Sequence, residues 1–292
     1  MPAHVISSEQ QRDRMLHTPI PKLIVSLSIP TLASQLISVF YNTADTYFVS
    51  KLSTSASAAV GVVFSLMSII QAFGFGIGMG CGSIISRSLG NRDNERADRT
   101  ASSAFFFAAA VGLLICIAGL CTLRPLMRLL GSTETILPYS ESYARIILLA
   151  APIMCASFVL SNTLRSEGEA MLSMYGICAG GLLNVALDPL FIFVFHMDVE
   201  GAALATVLSK VTMALAGAYV LWRNHGVISL DFHHFRFDRE RISRCMKVAL
   251  PSIIGQSGSS FGFIVLNSFI VSYGTATMAA FGMVNKIFDL VN

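Results

Sequence analysis

Three of the seventeen carboxylates in this 292-residue chain, Asp45, Asp188 and Asp289, fall inside long apolar runs. The rest lie in loops or near the ends of such runs. A carboxylate in hydrocarbon costs at least about 2.5–3.5 kcal/mol on insertion scales, so one that sits there is expected to have a function. Around Asp188 the sequence reads N-V-A-L-D-P, which places Asn184 and Asp188 at i,i+4 on one helix face. Pro189 then removes a backbone donor and frees a carbonyl oxygen nearby. Asp45 is six residues from Lys51, and Asp188 is eight residues from His196. If Lys51 and His196 mark the outer ends of their runs, a 1.5 Å rise per residue puts both carboxylates roughly 9–12 Å below the same surface. Thr206, on the run that turns back, reaches that depth, and Tyr41 lies one turn below Asp45 on the same face. Two carboxylates, a carboxamide and hydroxyls at one level make a hard-oxygen site suited to Na⁺ or to shared protons, with the carboxylates titrating as a coupled pair.

The elements that must hold these groups follow from composition. Hydrophobic residues make up 54% of the chain and charged residues only 13%, about half the share of an average soluble domain. That excludes a soluble enzyme, a disordered chain and a secreted disulfide scaffold, and leaves an integral membrane protein. The net charge of +3 and the lack of a basic stripe with interleaved aromatics speak against a nucleic-acid partner. The six cysteines include no C-x-x-C pair, so they are expected to be small buried thiols rather than metal ligands or disulfides. The first 20 residues are polar and lack an apolar core, so no cleavable signal is expected.

Long apolar runs predict spans at about 23–49, 57–85, 101–123, 144–164, 171–195, 200–222 and 246–271, with an eighth starting near 276. Each is too long for a membrane strand, so the expected fold is an all-α, multi-pass membrane protein of the cell membrane. Fourteen of the twenty Lys and Arg residues fall on one side of these spans, and only Lys51, Arg124 and Arg128 fall in the opposite loops. The positive-inside rule then puts the N-terminus and the 223–247 loop in the cytoplasm.

That loop divides a repeat. Setting residue i against i+221 aligns I-P-T-L-A-S-Q (29–35) with L-P-S-I-I-G-Q (250–256), Phe48 with Phe269, and the A-A-x-G element at 58–61 with that at 279–282. The seventh span reads as a second copy of the first, in a parallel repeat about an axis along the membrane normal. The expected organisation is a cytoplasmic tail (1–22), a six-helix bundle (23–222), a cytoplasmic linker (223–247) and the first one and a half helices of a second bundle (248–292). A six-helix first half implies a six-helix second half, so the sequence reads as part of a twelve-helix protein.

On these residues the chain resembles the multidrug and toxic compound extrusion (MATE) family. The resemblance is carried by I-P-T-L-A-S-Q (29–35), Y-N-T-A-D (41–45), A-A-x-G (58–61), N-T-L-R-S-E-G (162–168), N-V-A-L-D-P-L (184–190) and G-A-A-L-A-T (201–206). It implies a non-enzymatic, monomeric secondary transporter with no cofactor beyond a coupling ion, which exchanges H⁺ or Na⁺ for small organic cations. It also implies that Asp45, Asn184, Asp188 and Thr206 form the cation site. Tyr41, Asn162 and Pro30 match residues tied to proton-linked rearrangement of the first helix, and Gln35 is placed with them at the cavity. A lipid-linked oligosaccharide flippase of the related superfamily is the alternative transporter, and a transport-incompetent fragment is a third reading.

One position departs from the family pattern. Lys210 lies one turn below Thr206, where relatives commonly carry a neutral polar residue. Its ammonium can pair with Asp188 or Asp45 and bias coupling toward H⁺, face the central cavity and disfavour cationic drugs, or snorkel. Glu141 and Arg145 are expected to form an interfacial i,i+4 ion pair, and Arg165 to be an anchor or loop clamp. The G-F-G-I-G-M-G-C-G-S run (74–83) is expected to allow close helix contact, and it lacks the GK[ST] ending of a phosphate loop. In the second copy Leu266 stands opposite Asp45, so the ion chemistry is not repeated there. Lys286 and Asp289 are read as an internal pair or cavity charges.

Overall fold

The computed structural model describes residues 17–223 and 245–255, together with single helical positions at 258, 262, 265 and 269. The expected eighth span, the 224–244 portion of the linker, Leu266, Lys286 and Asp289 lie outside the described residues. Within them the chain is helical. The helices are α1 (Ile20–Ser50), α2 (Thr54–Gly90), α3 (Asn94–Cys121), α4 (Leu123–Leu129), α5 (Leu137–Ser166), α6 (Ala170–Pro189), α7 (Asp198–Arg223) and α8 (Cys245–Gly255). Among the described residues six helices are long and apolar enough to cross a membrane: α1, α2, α3, α5, α6 with its extension, and α7. They coincide with the first six expected spans.

Local sequence explains where the helices begin. Ser53 caps α2 by accepting the Ala56 N–H at 3.0 Å, and Asp93 caps α3 by accepting the Arg96 N–H at 3.1 Å. In α1 the hydroxyls of Thr31, Ser34, Ser38, Thr43 and Thr46 each donate to the carbonyl four residues back. Polar side chains are thereby satisfied within one helix in a medium that offers no water. The helix runs unbroken through Pro30, which cannot donate to the carbonyl one turn before it.

The fifth expected span differs in its last turns. Pro189 ends the α-helical ladder, and residues Leu190–Val194 form a wider π turn in which the Phe195 N–H donates to the Leu190 carbonyl at 3.0 Å. A missing N–H disrupts the four-residue repeat, and the five-residue repeat takes it over. His196 and Asp198 then take positive φ values of 51° and 49°, which reverses the chain into α7.

Short α4 was not expected, because seven residues between Leu123 and Leu129 containing Arg124 and Arg128 read as loop. Met127 pins it to the core. Its basic residues reach α5 and the turn before it: Arg124 Nε donates to Glu141 at 2.9 Å, and Arg128 bonds Glu134 at 2.8 Å. Glu141 therefore pairs with Arg124, not with Arg145 as its spacing suggested.

Helix α5 is the hub, packed by α2, α3 and α7, while α6 joins α7 to α1. The close approach comes from small residues, since bilayer lipid is as apolar as leucine and offers helices no hydrophobic reason to pair. On α3 the buried face runs Ala97, Ala101, Ala104, Ala108, Gly112, Cys116, Gly119 at three- and four-residue steps. On α2 alternate glycines of the 74–83 run serve two partners. A Cβ at Gly78 would stand 2.7 Å from Asn162 Nδ2 of α5, and one at Gly80 would stand 2.8 Å from the Ala249 nitrogen of α8.

Gly112 gives the tightest such contact with the α5 backbone, where a Cβ would meet Pro152 Cα at 2.6 Å. Gly112→Leu should therefore destabilise the detergent-solubilised protein by about 1–3 kcal/mol. Gly61→Ala, where nothing lies within 4 Å, should melt at the parent temperature or slightly above. Thermal unfolding of the two variants side by side checks this.

Candidate functional site

Asp188 is fully buried on α6, and Asn184, one turn earlier, is 2% exposed. The Asn184 Nδ2 donates to Asp188 Oδ1 at 3.3 Å, as the i,i+4 spacing led one to expect. Asp188 Oδ2 and Asn184 Oδ1 are buried without a hydrogen-bond partner among the described residues. Two oxygens facing no donor in a dry interior are an unusual arrangement, because buried acceptors are nearly always satisfied. Half-buried Asp45 on α1 lies close enough to act electrostatically on Asp188. Buried Thr206 on α7 completes the set predicted from depth.

A fifth member was missed. Tyr143 of α5 is 1% exposed, has its side chain beside that of Thr206, and lies within electrostatic reach of both Asp45 and Asp188. It stands six residues into α5 from Leu137, about 9 Å along the axis, at the depth assigned to the other four. Applying the same depth count to every polar residue of every span would have found it.

Beside this cluster is a cavity of about 460 Å³ between α1, α2, α5, α6 and α7. Gln35, Tyr41, Asn162 and Lys210, all predicted from sequence, line it, and so does Arg165, which sequence assigned to an anchor role. Pro30 is buried in α1 and is not among the lining residues. Asn184 and Thr206 belong to both the cluster and the cavity wall. They are the physical link between the two spaces.

Lys210 is 7% exposed and does not reach the carboxylates. Its Nζ donates to Tyr41 Oη at 3.0 Å and lies 5.3 Å and 5.5 Å from the Tyr41 and Phe158 ring centroids. Cation–π contact with two rings partly replaces the lost hydration. Tyr41 can reach this position because α6 offers only Gly181 beneath it, where a Cβ would meet the tyrosine ring at 3.0 Å. Asn162 donates from Nδ2 to the Phe158 carbonyl at 2.8 Å, holding its amide along α5.

The fold and the buried polar cluster define a polytopic helical membrane protein of the transporter class. The MatE family profile matches residues 30–190, more than half of the chain, and the chain belongs to the MATE family of transporters. It is 30% identical over 267 residues to the multidrug export protein MepA of Staphylococcus aureus, covering 91% of this chain and 59% of that protein. It is 27% identical over 263 residues to MepA of Staphylococcus saprophyticus. Among solved structures it is similar to an outward-facing multidrug resistance MATE transporter of the MOP superfamily, with TM-score 0.88, 32% identity, and coverage of 98% of this chain and 63% of that one. A MOP superfamily transporter from Pyrococcus furiosus, described as having a binding pocket of reverse polarity, matches with TM-score 0.87 and 33% identity over 95% of this chain and 62% of its own. The chain thus spans about three fifths of the length of these relatives.

The closeness of the Tyr143 and Thr206 side chains gives a testable coupling. Tyr143→Phe and Thr206→Val should each lower stability, and the double variant should cost less than their sum by roughly 0.5–1.5 kcal/mol. A double-mutant cycle by thermal unfolding in detergent reads it. Additive effects would show that the two hydroxyls do not interact.

Proposed function

We propose that this bundle is the ion-coupling half of a multidrug efflux antiporter, in which H⁺ or Na⁺ enters at Asp45, Asn184, Asp188 and Thr206 and drives small organic molecules out of the cell. The observation that carries the reading is Asp188, fully buried within a membrane helix and keeping one carboxylate oxygen without a donor among the described residues. An anion in that setting recruits a cation, either a proton on the carboxylate or Na⁺ held by hard oxygens. Names of relatives support the transport direction, since MepA is a multidrug export protein. The excess of Lys and Arg in alternate loops supports a cytoplasmic N-terminus.

The coupling follows from where the charges are mounted. Asp45 is on α1 and Asp188 on α6, so a bound cation removes their repulsion and draws α1 toward α6. Helix α1 is the least buried of the six spans, with only about a tenth of its apolar stretch covered, and it contains Pro30, where one backbone bond is already missing. It is the element whose movement disturbs least packing. Tyr41 ties it to α7 through Lys210, and Asn184 and Thr206 sit on both the ion cluster and the cavity wall. Occupancy of the ion site therefore reshapes the space available to substrate. The family resemblance implies organic cations as that substrate.

In a chain of the relatives' full length, Asp188→Asn should abolish Na⁺- or H⁺-driven efflux of ethidium and fluorescein from loaded cells while leaving the protein in the membrane. Efflux by Asp188→Asn that still follows either gradient would overturn the assignment.

A further inference from the structure

The cavity beside the ion cluster carries two cationic side chains, Lys210 and Arg165, and none of the described residues lining it is a carboxylate. Asp45 and Asp188 are not among the lining residues, which meet that cluster at Asn184 and Thr206. Lys210 has its ammonium on a neutral tyrosine hydroxyl and two aromatic rings, with no counter-charge among its hydrogen bonds. The Arg165 guanidinium makes no ion pair or hydrogen bond with any described residue, while its backbone carbonyl accepts from the Gly168 N–H at 3.0 Å. A half-buried guanidinium with five donors and no acceptor among the described residues leaves a strong, fixed demand for a planar anion. Nearby walls supply an apolar body with Phe75, Phe158 and Met213, and the volume of about 460 Å³ suits a molecule of drug size.

We infer that this cavity selects organic anions, molecules with an aromatic or aliphatic body and a carboxylate, sulfonate or phosphate group held by Lys210 and Arg165. The inference rests on the reading of the bundle as a transporter and departs from the cationic substrate that the family resemblance implied. A cationic drug entering here would meet two like charges in a setting of reduced dielectric, where repulsion is stronger than in water. An anion would satisfy both.

Binding of fluorescein, an anion, and ethidium, a cation, to the purified full chain tests it by fluorescence anisotropy at low ionic strength. Fluorescein should bind at least about tenfold more tightly than ethidium, and Lys210→Gln and Arg165→Gln should each weaken fluorescein by about tenfold without weakening ethidium. Lys210→Arg keeps the charge and should keep fluorescein affinity within a few-fold, which separates charge from packing. Competition then identifies the source of the anion. Displacement of fluorescein by benzoate assigns a soluble organic anion, and displacement by short-chain phosphatidylglycerol alone assigns a lipid headgroup. Preference for ethidium, or fluorescein binding unmoved by both Gln variants, would overturn the inference. Ion coupling is measured separately, as gradient-driven transport. Coupled transport with ethidium preferred sinks the anion inference alone, and anion selectivity without coupling sinks the antiporter reading alone.

Discussion

A carboxylate fully buried in a membrane helix has to be answered by other groups of the protein, and the arrangement of this bundle follows from how Asp188 is answered. Water and lipid offer it nothing, so its neighbours are drawn from four helices. Asn184 comes from its own helix, Asp45 from α1, Thr206 from α7, and Tyr143 from α5 behind Thr206. Among the described residues the donors are too few for the oxygens, with Asp188 Oδ2 and Asn184 Oδ1 left over. That deficit makes the cluster a cation site in our account and not a structural knot, because a fully satisfied network would have no use for an ion.

Bringing four helices to one point requires backbones to approach closely, and here the sequence spends its glycine and alanine. The alanine-rich face of α3 and the alternate glycines of α2 let α5 sit at the centre, which sets the depth of Tyr143 and turns Phe158, Asn162 and Arg165 to the cavity. Helix α1 is treated differently. It lies mostly against α6, seats Tyr41 over Gly181, and leaves a row of large apolar residues, Ile29, Leu32, Leu36 and Phe40 among them, on the outside. Tight packing around α5 and light packing of α1 together produce a rigid site with one movable wall.

What the sequence disclosed was whatever depends on distance along a helix. The six spans, the depth of Asp45, Asp188 and Thr206, and the Asn184–Asp188 contact all follow from a fixed rise and a fixed turn. What it concealed depends on helix rotation and tertiary neighbours. Lys210 meets Tyr41, 169 residues away, and no periodicity relates them. Arg165 at a helix end looks the same in sequence whether it anchors to headgroups or faces a cavity. Glu141 had an i,i+4 partner in Arg145, but α4, too short to recognise, delivers Arg124 to it at 2.9 Å. Pro189 was read as freeing a carbonyl, and the π turn that follows is how the backbone absorbs it.

The proposed function stands on Asp188 taking up the coupling cation. Infrared difference spectroscopy of the membrane-embedded protein tests it most directly, with Asp188→Asn used to assign the carboxyl band of this one residue. A band that changes amplitude with pH, with Na⁺, or with both across the physiological range, and that is absent from the variant, is expected. A band assigned to Asp188 that responds to neither ion would contradict it.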